Sequence, residues 1–158
     1  MKVRSLSRDN ASFPTKDDFM KRQFTKGLPL SLVGVAAYPV VRLIGGKPKP
    51  FAGICRCFEI GKGWGGFSLG WYFVCSKDAP DAVRWHEIGH SVVNANAGGF
   101  AMLGFSIASA VRYWTKKVKN TAGKPYYSWW FERQASEIGE AYKAVLMSDK
   151  DAEDSIVL

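Results

Sequence analysis

A chain of 158 residues that is 47% apolar and 14% aromatic is sized for one domain with a packed core. Its three cysteines (55, 57 and 75) are odd in number and lack metal-knuckle spacing, which argues against a disulfide-built secreted scaffold and for buried free thiols. The net charge of +8 fits contact with an anionic partner or plain solubility, but no nucleic-acid-binding motif accompanies it, so no specific nucleic acid is expected as a partner.

Residues 1–27 mix charge, Ser, Asn and Pro14 without apolar periodicity, which predicts a polar basic arm with a short helix near Lys16–Lys26. No apolar run follows the first charges closely, so no secretory signal is expected, and the chain is expected in the cytoplasm or at a membrane. Residues 28–46, LPLSLVGVAAYPVVRLIGG, are nearly long enough for a membrane span but carry Pro39 and Arg42. A buried helix and a membrane-surface segment are the other two readings. Residues 45–50, GGKPKP, then break the chain.

Phe51–Glu59 and Gly66–Cys75 read as two strands joined by a Gly-rich turn, GKGWGG. Cys55 and Cys57 share one strand face, the pattern of core packing. Residues 76–81, SKDAPD, end the second strand and offer caps for a helix from Pro80 or Asp81 to about Ala97, closed by Gly98-Gly99.

That helix carries the most informative stretch, Trp85-His86-Glu87-Ile88-Gly89-His90. It has the H-E-x-x-H form, in which two histidines one helical turn apart face a metal and the glutamate between them is a general base. The chain has only two histidines, and both are here. Chance would produce this arrangement about once in two thousand such chains. A catalytic zinc takes three protein ligands and leaves one position for water, so the third ligand has to be a carboxylate or a cysteine. Gly89 inside the helix costs about 1 kcal/mol relative to alanine, which predicts a neighbouring element in close approach.

Residues 100–111, FAMLGFSIASAV, form a second apolar run followed by a basic stretch, and no acid stands between Glu87 and Glu132. A core segment with a solvated basic loop and a segment lying on an anionic membrane are both consistent with it. Tyr126–Met147 reads as a helix. Small residues at 135 and 139, beside Glu132, would let it pack closely on the HEIGH helix, which makes Glu132 the natural third ligand. Glu137 and Glu140 compete, although their spacing from Arg133 and Lys143 suits ion pairs on a solvated face. Asp149–Leu158 reads as a frayed acidic tail.

Taken together, Ser68-Leu69-Gly70, the HEIGH helix, the apolar run after Gly98 and residues 130–139 (WFERQASEIG) resemble the small gluzincin-like zinc metallopeptidase domains of bacteria and their phages. The resemblance covers roughly residues 66–140. It implies His86, His90 and Glu132 as ligands of Zn2+ and Glu87 as the general base. It also implies hydrolysis of a protein or peptide substrate through a metal-activated water. Tyr126 and Tyr127 are candidates for steadying the oxyanion. The chain departs from the pattern at Ser136, where an acid usually orients a metal-binding histidine, leaving that task to Glu137 or a backbone carbonyl. Losing such a partner costs about ten- to a hundredfold in metal affinity or activity. A DNA-associated metalloprotease of the three-histidine type fails for want of a third histidine.

The expected fold is α+β and minimal zincin-like. A small antiparallel sheet would lie beside the HEIGH helix, with a second helix supplying the glutamate. The expected organisation is an arm over 1–27, one domain over 28–148 and a tail over 149–158. The rival function is a non-catalytic structural or assembly protein, membrane- or virion-associated, that keeps the fold and the metal and meets a membrane or a partner protein through its apolar segments.

Overall fold

The computed structural model describes residues 15–119 and 130–156. In chain order these form helices α1 (Lys16–Gln23) and α2 (Leu28–Leu43), strands β1 (Pro48–Phe51), β2 (Cys55–Glu59), β3 (Gly66–Ser68) and β4 (Tyr72–Cys75), and helices α3 (Asp81–Ala97), α4 (Gly99–Lys119) and α5 (Trp130–Ile156). The class is α+β, with a four-stranded sheet in the order β1-β2-β4-β3.

The sheet is mixed, which corrects the antiparallel expectation. Each stretch that read as one strand is folded back on itself. Phe51 ends β1, and a turn at Ala52 and Gly53, both at positive φ, leads into β2. The second stretch breaks at Gly70 (φ 83°), so that β3 and β4 form their own antiparallel pair, Ser68 opposite Phe73. The GKGWGG segment is therefore a crossover and not a hairpin turn. It carries the chain past the position beside β2, which β4 then fills in parallel, Cys57 opposite Phe73 and Glu59 opposite Cys75. β1 and β3 are left as the edges. Pro48 and Pro50 suit β1, since a proline cannot donate to a neighbour on both sides.

The central strands alternate between two apolar layers. Cys57, Phe73 and Cys75 face α3, meeting Trp85, Ile88 and Val92 in the main core. Phe58, Tyr72 and Val74 face the other way and pack with Val41 of α2 and Leu69. All three cysteines are buried free thiols. Cys57 and Cys75 lie with their sulfurs 3.4 Å apart. Hydrogen bonding to the Cys57 thiol, aided by Arg84, draws Cys75 down to about 7, while Cys57 is pushed up.

The short helix expected near Lys16–Lys26 is α1, capped by the Thr15 hydroxyl, which accepts from the Asp18 amide. Its Phe19 is fully buried in the same core as Trp85 and Ile88, so this helix packs with the sheet and α3. Gln23 is fully buried too. Its amide donates to the carbonyls of Gly70 (3.0 Å) and Ser91 (2.7 Å), and its oxygen accepts from Asn94 and Ser31. These bonds tie α1, α2, the β3–β4 turn and α3 together, since buried amides are stable only when paired.

Two helices run further than their sequence spans predicted. Residues 100–119 are one continuous helix, including Arg112, Lys116, Lys117 and Lys119, which one of the two readings placed in a loop, and α5 continues through the acidic residues to Ile156. No single helix among the described residues is long and apolar enough to cross a membrane.

The contact of α3 with α5 is set by two glycines. A Cβ on Gly89 would collide with the backbone carbonyl of Ala135, and one on Gly139 would collide with that of Trp85. The helices thus touch backbone to backbone in antiparallel sense, 85 beside 139 and 89 beside 135. Replacing Gly89 by Ala should lower the unfolding free energy by about 1–3 kcal/mol, despite alanine's better helix propensity, because the obstructing atom belongs to a backbone that cannot swing aside. A urea midpoint equal to or above that of the wild type would refute this account of the packing.

Candidate metal centre

α3 presents His86 and His90 one turn apart, and the antiparallel α5 brings Glu132 opposite them. His86 Nε2 and Glu132 Oε2 are 3.0 Å apart, His90 Nε2 and Glu132 Oε2 3.2 Å, and the two Nε2 atoms 3.1 Å. The three ligand atoms make a nearly equilateral triangle, and the side chains form a buried cluster that could hold a metal ion. Glu132 is 1% exposed. A buried carboxylate costs several kcal/mol unless a cation or donors compensate it, and a cation bound between the two imidazoles would be one such compensation.

Ser136 gives His86 a partner on the side away from the cluster. Ser136, one turn after Glu132, lies with its Oγ 2.8 Å from His86 Nδ1 and donates its own proton to the Glu132 carbonyl at 3.1 Å. The hydroxyl is then free to accept from the ring, an arrangement that would place the proton on Nδ1 and turn the Nε2 lone pair to a metal. Ser136, read from the sequence as a missing acid, holds this histidine. The serine's position one turn from Glu132 on a helix facing His86 was the available signal. The Glu132 carbonyl orients the serine and not the ring. Burial holds His90 below the ordinary imidazole range, with the neighbouring His86 acting in the same direction and Glu132 opposing. Metal ligation requires that neutral form.

Glu87 sits between the histidines in sequence but turns towards the sheet. It is buried, and its Oε2 has no hydrogen-bond partner among the described residues. Burial pushes its carboxyl well above the usual range, and the negative charge of Glu132 adds to this. Gly66, the first residue of β3, lies against it; a Cβ there would come within 2.8 Å of the Glu87 Cγ. Ser68, at the far end of β3, meets the Ser91 hydroxyl at 2.8 Å, one residue past His90. The edge strand is therefore held along the metal helix by a close approach at one end and a hydrogen bond at the other.

The other sequence candidates fall elsewhere. Glu137 is exposed and pairs with Arg133, and Glu140 is exposed at the mouth of a cavity of about 260 Å³ behind His86 and Ser136. Neither joins the cluster. Tyr126 and Tyr127 lie outside the described residues. No protein-family model, no curated protein and no solved structure matches the chain.

Two substitutions separate ligand from support. Glu132→Ala should abolish stoichiometric metal uptake measured by elemental analysis after dialysis. Ser136→Ala should retain metal but bind it about ten- to a hundredfold more weakly in a chelator competition. Unchanged affinity in Ser136→Ala would show that the hydroxyl does not position His86.

Proposed function

We propose that the chain is a zinc-dependent metallopeptidase of gluzincin-like type. The observation that carries this reading is the buried triangle of two imidazole nitrogens and one carboxylate oxygen, with an unpartnered glutamate beside it. A tetrahedral zinc with bonds of about 2.0–2.1 Å needs ligand atoms about 3.3 Å apart, and the separations of 3.0 to 3.2 Å fit that demand with little adjustment. Two histidines and a glutamate make up the ligand set of several catalytic zinc sites, whereas structural sites favour four ligands rich in cysteine. Among the described residues the cysteines lie in the sheet and none belongs to the cluster.

Zinc bound there would supply a polarising charge for a peptide carbonyl and a water of lowered pKa. The chain's own residues divide the remaining work. His86, oriented by Ser136, and His90 would hold the ion from α3, and Glu132 would hold it from α5. Glu87 would accept the proton of the attacking water at its carboxylate and return it to the departing amine. The outer edge of β3 offers backbone N–H and C=O groups alongside this carboxylate, so an extended peptide could pair there by its main chain. Gly66 keeps that edge close to Glu87, since any side chain would displace one of the two.

A second reading, an assembly protein that keeps the metal without catalysis, draws on the exposed apolar faces of α2 and α4, and the site itself does not favour it. Glu87→Gln separates the two. The substitution should retain one zinc per chain and lower cleavage of a peptide library by about 10²- to 10⁴-fold, the usual contribution of a positioned general base. Zinc-replete wild type that cleaves neither library peptides nor itself would overturn the peptidase reading and leave the assembly one.

A further inference from the structure

The surface of α2 runs counter to that of an ordinary surface helix. Its inward side carries Leu30, Ser31, Gly34 and Val41, and its outward side is aliphatic as well, carrying Leu28, Leu32, Val33, Val35, Val40 and Leu43. Leu32 is 53% exposed, Val40 56% and Leu43 85%. Hydrogen bonds fix this orientation. The Ser31 hydroxyl donates to the buried Gln23 amide oxygen, and the Tyr72 hydroxyl donates to the Gly34 carbonyl at 2.7 Å. A Cβ on Gly34 would strike the Leu69 carbonyl, so only a bare backbone can face the sheet at that point. The helix therefore cannot roll its aliphatic side inwards without breaking buried polar pairs. α4 packs against α2 and has exposed apolar side chains of its own, Phe100 and Ile107.

We propose that the apolar outer face of α2 is a docking surface for an anionic lipid bilayer, on which the protein lies without crossing. Charge selects the occupant. Lys21 and Lys26 precede α2, Arg42 and Lys47 close it, and all four are exposed. No acidic residue occurs between Asp18 and Glu59, nor between Glu87 and Glu132, so both apolar helices lie in acid-free stretches. Aliphatic surface framed by charges of one sign suits anionic headgroups over an acyl layer. The exposed side chains of α2 named above are aliphatic, whereas the cores of protein interfaces are enriched in aromatic residues. Length decides against a span. The 16 residues of α2 extend about 24 Å, short of the roughly 30 Å hydrocarbon core. The inference holds whether or not the metal centre cleaves peptides.

The test is flotation of the full chain with vesicles of phosphatidylcholine alone and of phosphatidylcholine and phosphatidylglycerol in equal parts. The protein should float with the anionic vesicles, far less with the neutral ones, and progressively less as salt rises. Leu32→Glu combined with Val40→Glu should reduce the partition by roughly a hundredfold, because two aliphatic anchors are lost and two repelled charges gained. Unchanged metal uptake and circular dichroism would show that this variant is folded. Since both positions point outwards, single Leu32→Ser and Val40→Ser variants offer a milder second check, each with a smaller loss. Absence of binding to anionic vesicles at low salt would overturn the proposal, as would binding undiminished in the double variant. Concentration-dependent dimerisation of the wild type, removed by the same substitutions and unaffected by vesicles, would overturn it in favour of a second copy of the chain.

Discussion

The metal cluster depends on how closely α3 and α5 approach. Imidazole and carboxylate side chains are short, so two helices at ordinary separation, about 8–10 Å between axes, reach a common ion only when small residues line the seam. Gly89 against Ala135 and Gly139 against Trp85 supply that seam, and both contacts involve backbone atoms. The glycines sit one residue before His90 and seven after Glu132, so both contacts lie next to the cluster along the helix pair. The same contact that packs the fold thus sets the ligand triangle, and a change in helix spacing would be felt first as a change in His–Glu distance.

Around this pair the rest of the molecule acts as a clamp on α3. The sheet presses Cys57, Phe73 and Cys75 on one side of it, and α1 adds Phe19. Gln23 joins the Ser91 carbonyl to the Gly70 carbonyl, and so links the helix one residue past His90 to the turn between β3 and β4. Ser68 meets Ser91 from the edge strand. A buried polar network of this kind is stable only when its members are paired, and in return it admits one relative placement of its elements. The placement it enforces is that of the β3 edge against Glu87. Across the sheet, α2 is anchored by Leu30, Ser31, Gly34 and Val41, which leaves a second set of aliphatic residues outside. The two unusual features of the molecule, a buried charged cluster and an exposed aliphatic face, are therefore built on opposite sides of one sheet.

Much of the site could be read from the chain because helical periodicity is local. His86 and His90 must share a face wherever their helix packs, and the limits of that helix follow from Pro80, Asp81 and Gly98. Glu132 stood out from Glu137 and Glu140 because Ala135 and Gly139 mark a side that can be approached, while the other two glutamates had basic partners at pairing distance. The strands were less legible. Residues 51–59 and 66–75 are continuous apolar runs, and periodicity within a run does not show that it folds back at Ala52-Gly53 or at Gly70. Which strand lies beside β2 is a non-local choice, made by the burial of both faces of β4, and it turned an expected hairpin into a parallel pair.

The sequence by itself determined the HEIGH helix, the two-histidine motif with its glutamate, the free thiols and the small-residue seam, because each follows from spacings within one element. Only the tertiary structure decided the mixed sheet and the partnership of Ser136 with His86. It also decided the burial of Gln23 and the outward direction of α2's aliphatic face. In each case the deciding atom lies far along the chain: Ser136 is fifty residues from His86, and Gly34 thirty-eight from Tyr72. A side chain's role at such a distance depends on what folding brings opposite it, and no local pattern records that.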